Sequence, residues 1–202
     1  PYILGLTGAI ASGKTTIGLL LMELGADVYC DADTVVHEMY LPGQPLVARL
    51  AEEFGPGILD TDGGVDRRVL GSIVFNDREK LRALERIVHP AVQEELIRRL
   101  RAVPEHGVGV LDAVKLVESG YAPLCHGVWL VTCPPELQIA RMIERRGLSR
   151  KEAEARLAAQ TPIEPKLAVA TEVIDNSGSF DDLRAKVTAA WDRFKIGIQA
   201  GG

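Results

Sequence analysis

No run of 18 consecutive apolar residues occurs in the chain, and no signal-peptide pattern opens it. A membrane partner is therefore not expected, and the chain is read as cytoplasmic. It begins at Pro1, not at a methionine, and ends in Gly201-Gly202. Trimmed termini are expected, and any targeting signal there would be lost with them. Cysteine is scarce: Cys30, Cys125 and Cys133 are an odd number without metal-ligand spacing. Reduced thiols are the expected state. Positive charge is in deficit, with 23 Lys and Arg against 28 Asp and Glu, a formal net charge of -5. Nucleic-acid binding through bulk positive charge is excluded by that balance. There is no internal repeat and no low-complexity linker.

What is present points to one α/β domain. The chain has 202 residues, 47% of them hydrophobic, enough for a sizeable core and a small inserted subdomain. Its most specific stretch is Gly8-Ala9-Ile10-Ala11-Ser12-Gly13-Lys14-Thr15, which fits the phosphate-loop pattern G-x-x-x-x-G-K-[ST]. The apolar run Tyr2 to Thr7 precedes it as a strand should. Ile17, Leu20, Leu21 and Leu24 follow at helical spacing. Gly8 and Gly13 let the backbone turn tightly with no Cβ against a phosphate. The N–H groups from Gly8 through Thr16 at a helix N-terminus form an anion nest. Lys14 reaches β- and γ-phosphates in such loops, and the Thr15 hydroxyl binds Mg²⁺. The guanine-reading tetrapeptide N-K-x-D is absent, which weighs against a GTPase-like switch.

Further strands are expected at Ala26–Cys30, Gly107–Asp112, His126–Thr132 and Thr171–Asp175. With helices between them, they imply a parallel sheet covered on both faces. Asp31-Ala32-Asp33 closes the second strand and opens a helix over Thr34 to Tyr40. In open α/β sheets, ligands gather at such strand ends. Asp31 is read as the helix N-cap and Asp33 as the carboxylate available for proton transfer. Residues 42–101 read as helical. Leu46, Val47, Leu50 and Phe54 mark one helix, and Val69, Leu70, Ile73 and Val74 another. Asn76-Asp77-Arg78-Glu79 reads as an N-cap with Glu at the third helical position. The helix it opens is expected to break at His89-Pro90, where a new one starts. Asp112 ends its strand as a Mg²⁺-holding Walker B Asp would, or as an ordinary turn residue, and both readings stay open.

The most basic stretch lies between the fourth and fifth strands. A helix from Pro134-Pro135 to Gly147 carries Arg141 and Arg145 on one face, four residues apart. Ser149 to Glu152 is a capping box for the next helix. Arg146, Arg150 and Lys151 are expected on a solvated face. The final helix opens at Ser179-Phe180-Asp181-Asp182 and is expected to run to about Phe194.

Taken in order, Gly5 through Thr16, Asp31-Ala32-Asp33, Val88-His89-Pro90, Leu116-Val117-Glu118, Arg145 through Ser149, Ala159-Gln160 and Ile174 through Gly178 resemble the dephospho-CoA kinase family along nearly the whole chain. The resemblance implies a three-layer P-loop NTPase fold with a five-stranded parallel sheet. It also implies a helical acceptor-binding insertion at about 36–103 and a helical lid at about 135–168. The implied activity is ATP-dependent phosphorylation of the ribose 3′-hydroxyl of dephospho-CoA, with ATP and Mg²⁺ at the site. By that likeness Asp33 is the base, and Lys14 and Arg145 act on the transferred phosphate. Arg141, Asn176, Ser177 and Gly178 line the ATP side, and His89 and Glu118 serve the acceptor side. Three local departures stand out: Ala9 and Ala11 where the family usually has Gly, one extra residue between Gly25 and Asp31, and a charged Lys115 in a segment usually ending in Pro-Leu-Leu. The alternatives are another small-acceptor kinase, acting on a nucleoside, nucleotide or sugar acid, and a non-catalytic nucleotide-binding switch.

Overall fold

The central strand of the sheet is the one nearest the start of the chain. In the computed structural model, which describes residues 1–200, β1 (Tyr2–Gly8) has Leu4, Leu6 and Thr7 fully shielded from solvent. It pairs in parallel with β3 (Val108–Asp112), Leu4 opposite Val110, and with β4 (Gly127–Thr132), Leu6 opposite Trp129. β5 (Glu172–Asp175) adds in parallel to β4, and β2 (Val28–Asp31) lies beside β3, giving the order β2-β3-β1-β4-β5. Strands buried on both faces read as near-continuous apolar runs, as β3 and β4 do. α1 (Lys14–Glu23) and α9 (Phe180–Ala200) cover one region of the sheet. Ile17, Leu20 and Leu21 meet Leu183, Val187 and Trp191 there, and the Trp191 indole N–H donates to the Leu24 carbonyl at 2.9 Å. α9 runs past Phe194 because Phe194 and Ile198, four apart, keep packing on this core.

The chain divides into two units: Pro1–Cys30 together with the chain from Leu100, and Asp31–Arg99. The second unit holds α2 (Ala32–Met39), α3 (Pro45–Phe54), α4 (Arg67–Val74) and nearly all of α5 (Arg78–Leu100). Three Asp residues cap helices here. Asp31 accepts from the N–H groups of Asp33 and Thr34, Asp66 from Arg68 and Val69, and Asp77 from Glu79 and Lys80. The cap of α5 thus falls on Asp77, one residue later than the sequence pattern suggested.

The break expected at His89-Pro90 does not occur. α5 runs through Pro90 for 23 residues. Proline removes one helical N–H and crowds the carbonyl four residues back. The turns on either side bury Val88, Val92, Leu96 and Leu100, and that packing holds the helix together. Between β4 and β5 lie α6 (Pro135–Arg146), α7 (Arg150–Ala158) and α8 (Glu164–Val169), the last too short to show periodicity in the sequence.

Candidate functional site

The phosphate loop follows directly from β1 and ends at Gly13, the N-cap of α1, whose φ is +102°. Such a φ favours glycine. Nothing but backbone fits there either, since a Cβ on Gly13 would lie 2.1 Å from the Asn176 side-chain nitrogen. A Cβ on Gly8 would lie 2.4 Å from the Val131 carbonyl oxygen. Ala11 keeps the loop's other left-handed turn, at φ +56°, without glycine. Its methyl and the Ile10 side chain pack against Ile139, Met142 and Ala153, so the loop rests on α6 and α7.

The loop's carbonyls are held from outside. Arg141 Nη1 donates to the carbonyls of Ala11 and Ser12, both at 3.3 Å, and Nη2 donates to the carbonyl of Asn176 at 3.1 Å. Asn176 Nδ2 donates to the Ser12 carbonyl at 2.7 Å. A peptide carbonyl and the following N–H point in opposite directions. Tying back the Ser12 carbonyl therefore turns the Gly13 N–H toward the concave side of the loop. The first turn of α1 has orphan N–H groups, and no side chain caps them. The buried Ser12 hydroxyl has no hydrogen-bond partner among the described residues. The loop thus offers donors around an open cradle.

Two small cavities of about 130 Å³ each adjoin this cradle. One is lined by Lys14, Thr15, Arg141, Arg145 and Arg146. The other is lined by Thr16, Arg141, Arg145, Asn176, Gly178 and Phe180. Four cations facing orphan N–H groups select an anion with several negative charges. A larger hollow of about 510 Å³, bordered by Tyr2, His126, Glu172 and Arg193, opens at the opposite ends of the same strands and lacks this donor set. The chemistry places the site at the loop.

Most of the residues expected from the sequence come together here. Lys14, Thr15, Thr16, Arg141, Arg145, Asn176 and Gly178 all border the two cavities. Ser177 instead donates its hydroxyl to Asp175 at 2.6 Å, which with the Lys186 ammonium holds the Asp175 carboxyl below the ordinary range. Arg146 is exposed, consistent with a solvated face, and also borders a cavity. Arg150 is solvated as expected, in exposed ion pairs with Glu136 and Glu154. Asp112 is 4% exposed, and its carboxylate accepts from the Tyr29 hydroxyl at 2.7 Å. Lys115 is exposed. Burial raises both Cys125, to about 12, and Cys133, so neither thiol is activated.

In the other unit, Asp33 sits exposed in the first turn of α2. Asp31 beside it is committed to the cap, as expected. His89 is exposed on α5 next to Pro90. Back in the first unit, Glu118 has its carboxylate engaged by the Thr161 hydroxyl and the Lys166 ammonium. Two contributors had no role in the sequence reading. Gln160 accepts the Ile10 N–H through Oε1 at 2.6 Å, and Lys166 is a buried cation. Ala159-Gln160 stood out as a motif, but nothing local tied it to the phosphate loop.

The model of the dephospho-CoA kinase family matches residues 2–182. The chain belongs to the dephospho-CoA kinase family. A dephospho-CoA kinase of Symbiobacterium thermophilum is 49% identical over 191 residues, 94% of this chain and 80% of that protein. One from Geobacter sulfurreducens is 43% identical, covering 94% and 96% of the two chains. Among solved structures, the dephospho-CoA kinase of Campylobacter jejuni superposes with a TM-score of 0.63 at 27% identity, over 95% of this chain and 96% of that one. A Thermus thermophilus protein superposes at 0.75 and 36%, over 96% and 97%. A shikimate kinase from Acinetobacter baumannii, at 0.53 and 18% over 94% and 92%, shares the fold. The α/β architecture around the five-stranded parallel sheet is therefore that of P-loop kinases.

Proposed function

We propose that this chain transfers the γ-phosphoryl group of ATP to the ribose 3′-hydroxyl of dephospho-CoA, giving CoA and ADP, the last step of CoA biosynthesis. The observation that carries this reading is the braced phosphate loop with its four cations, in a chain whose family match runs from residue 2 to residue 182. We place the reaction in the cytoplasm, with small molecules as partners and neither nucleic acid nor membrane involved. Among the described residues, no helix is long and apolar enough to cross a membrane.

The roles follow from chemistry. The Gly13 to Thr16 N–H groups and Lys14 hold the β- and γ-phosphates. Arg145 would act on the charge that develops on the transferring group, while Arg141, which braces the loop carbonyls, serves the nucleotide side with Asn176 and Gly178. The 3′-oxygen forms a bond to the γ-phosphorus as the bond from that phosphorus to the β-bridging oxygen breaks, and Asp33 accepts the hydroxyl proton. His89 serves the acceptor side. Closing the segment that carries Arg145 excludes water and limits ATP hydrolysis.

Mg²⁺ fits this donor set. Among the described residues no cluster of three or more His, Cys, Asp or Glu forms a protein cage. Mg²⁺ at phosphates needs none, because it keeps several waters and takes few protein ligands. The exposed Thr15 hydroxyl would supply one ligand, and Asp112, whose carboxylate accepts from the Tyr29 hydroxyl, is the candidate for a second. When bound, the ion neutralises phosphate charge.

The test is an ATP-dependent assay of the purified protein with dephospho-CoA, following CoA itself, beside nucleosides, nucleotides, shikimate and gluconate. CoA formation that Asp33→Asn reduces by orders of magnitude is the expected result. Turnover of another acceptor with none of dephospho-CoA would overturn it.

A further inference from the structure

Lys166 is 4% exposed, although its neighbours Ile163, Leu167 and Val169 are each at least 40% exposed. A short helix has thus turned its cation inward and its apolar side chains outward. An ammonium is withdrawn from water only where partners compensate it. Its Nζ lies 3.3 Å from Glu118 Oε1 and donates to Thr161 Oγ1 at 3.1 Å, and the Thr161 hydroxyl donates to Glu118. Burial pushes the Glu118 carboxyl up, but the hydroxyl and the ammonium outweigh it and hold the group below its ordinary value. The anchor under Glu118 is firm. Leu116 is fully buried against Gly5, and the Val114 carbonyl accepts from the Thr7 hydroxyl at 3.2 Å. Gly5 and Thr7 belong to β1, the strand that runs into the phosphate loop.

Directly before Thr161 stands Gln160, whose Oε1 takes the Ile10 N–H. The strap 160–166 is therefore pinned at both ends, by Lys166 and Thr161 on Glu118 and by Gln160 on the loop. Buried ion pairs stabilise little more than apolar groups of the same size, so stability alone does not account for this one. We propose that Lys166 is a positioning residue: through Glu118 and Thr161 it fixes the register of the strap that sets Gln160 on the Ile10 amide and braces the phosphate loop for transfer. Glu118 thus acts on the donor side. This rests on the kinase reading above, and one of its tests does not.

That test is amide exchange at Ile10 in the full chain. Lys166→Met combined with Glu118→Leu replaces the ion pair by apolar groups and preserves burial. Exchange at Ile10 is expected to rise about 10-fold or more in this variant and in Gln160→Leu, with the central strands unchanged. In the CoA-forming assay, both should lower kcat by roughly 10- to 100-fold, with the KM for dephospho-CoA held within about 3-fold. The Lys166 and Glu118 changes should add nothing in a Gln160→Leu background. Lys166→Arg should restore most of the rate. Should the apolar pair fail to fold, Thr161→Val carries the same comparison. Unchanged Ile10 exchange, full multiplicative loss in the Gln160→Leu background, or a wild-type kcat with the apolar pair would each overturn the proposal. Absence of CoA formation by the wild type would overturn the kinase reading alone, since the exchange measurement still stands.

Discussion

A methyl group added at Gly13 measures how the phosphate loop is held. Its Cβ would lie 2.1 Å from Asn176 Nδ2, far inside contact distance, so the amide must swing away. The Asn176 backbone cannot follow, because its N–H bonds the Thr132 carbonyl and its carbonyl accepts from Arg141. The swing breaks the buried 2.7 Å bond to the Ser12 carbonyl, a loss of about 2 kcal/mol. Alanine at φ +102° adds about 1 to 2 kcal/mol of strain, partly offset by roughly 0.4 to 1 kcal/mol from a less flexible unfolded chain. Gly13→Ala should therefore destabilise by about 3 kcal/mol, and Asn176→Ala, which loses the same bond, by about 2 kcal/mol. In the double variant the clash partner is gone and the bond is lost only once. Its destabilisation should be about 3 kcal/mol, roughly 2 less than the sum of the single changes. In thermal unfolding, each 1 kcal/mol corresponds to about 2–4 °C for a chain of this size. The double variant should melt no lower than Gly13→Ala alone. Additive shifts would refute the view that Asn176 is what fills the space beside Gly13.

Asp33→Asn should lower kcat by at least about 100-fold and leave melting within about 2 °C, since its carboxylate is exposed and the cap belongs to Asp31. Pro90→Ala should raise stability by about 2 kcal/mol in denaturant unfolding, because proline inside the unbroken α5 removes a helical N–H and crowds the carbonyl four residues back. Hydrogen bonds from Arg98, with those from Arg99, hold Glu95 at about 2 against the burial that opposes them. A depressed carboxylate contributes stability above its unfolded value of 4.5 and loses it as pH falls toward 2. The loss should be about 1 kcal/mol given the exposed Arg98, and Glu95→Gln should abolish that part of the pH dependence.

The parts legible in the sequence were those written in local spacing. The phosphate loop, the apolar strands, and the capping pairs Ser149–Glu152 and Ser179–Asp182 each depend on neighbours within a few residues. Errors came where tertiary packing overrode a local rule. Pro90 should end a helix, but Val88 and Val92 are buried on either side of it. Phe194 looked like a helix end, yet Ile198 continues the same packed face. The least visible part was the bracing of the loop. Arg141 lies 130 residues from Ala11, and Gln160 lies 150 from Ile10. Spacing within a helix marked Arg141 as a candidate for nucleotide, but no local pattern shows that it also grips loop carbonyls.

The strand order has a consequence for synthesis. β1 emerges first, but its partners begin at Val108 and Gly127. At typical elongation rates, about 5–20 s separate Tyr2 from Val108. The intervening unit, Asp31–Arg99, is contiguous and is complete before either partner of β1 exists. The nascent chain therefore carries an apolar, unpaired strand edge beside a helical unit able to form early. Ribosome-bound chains long enough to bring Arg99 just clear of the exit tunnel should show, outside the tunnel, protease protection confined to residues 31–99. The phosphate loop, made before the elements that brace it, is among the last parts to take shape.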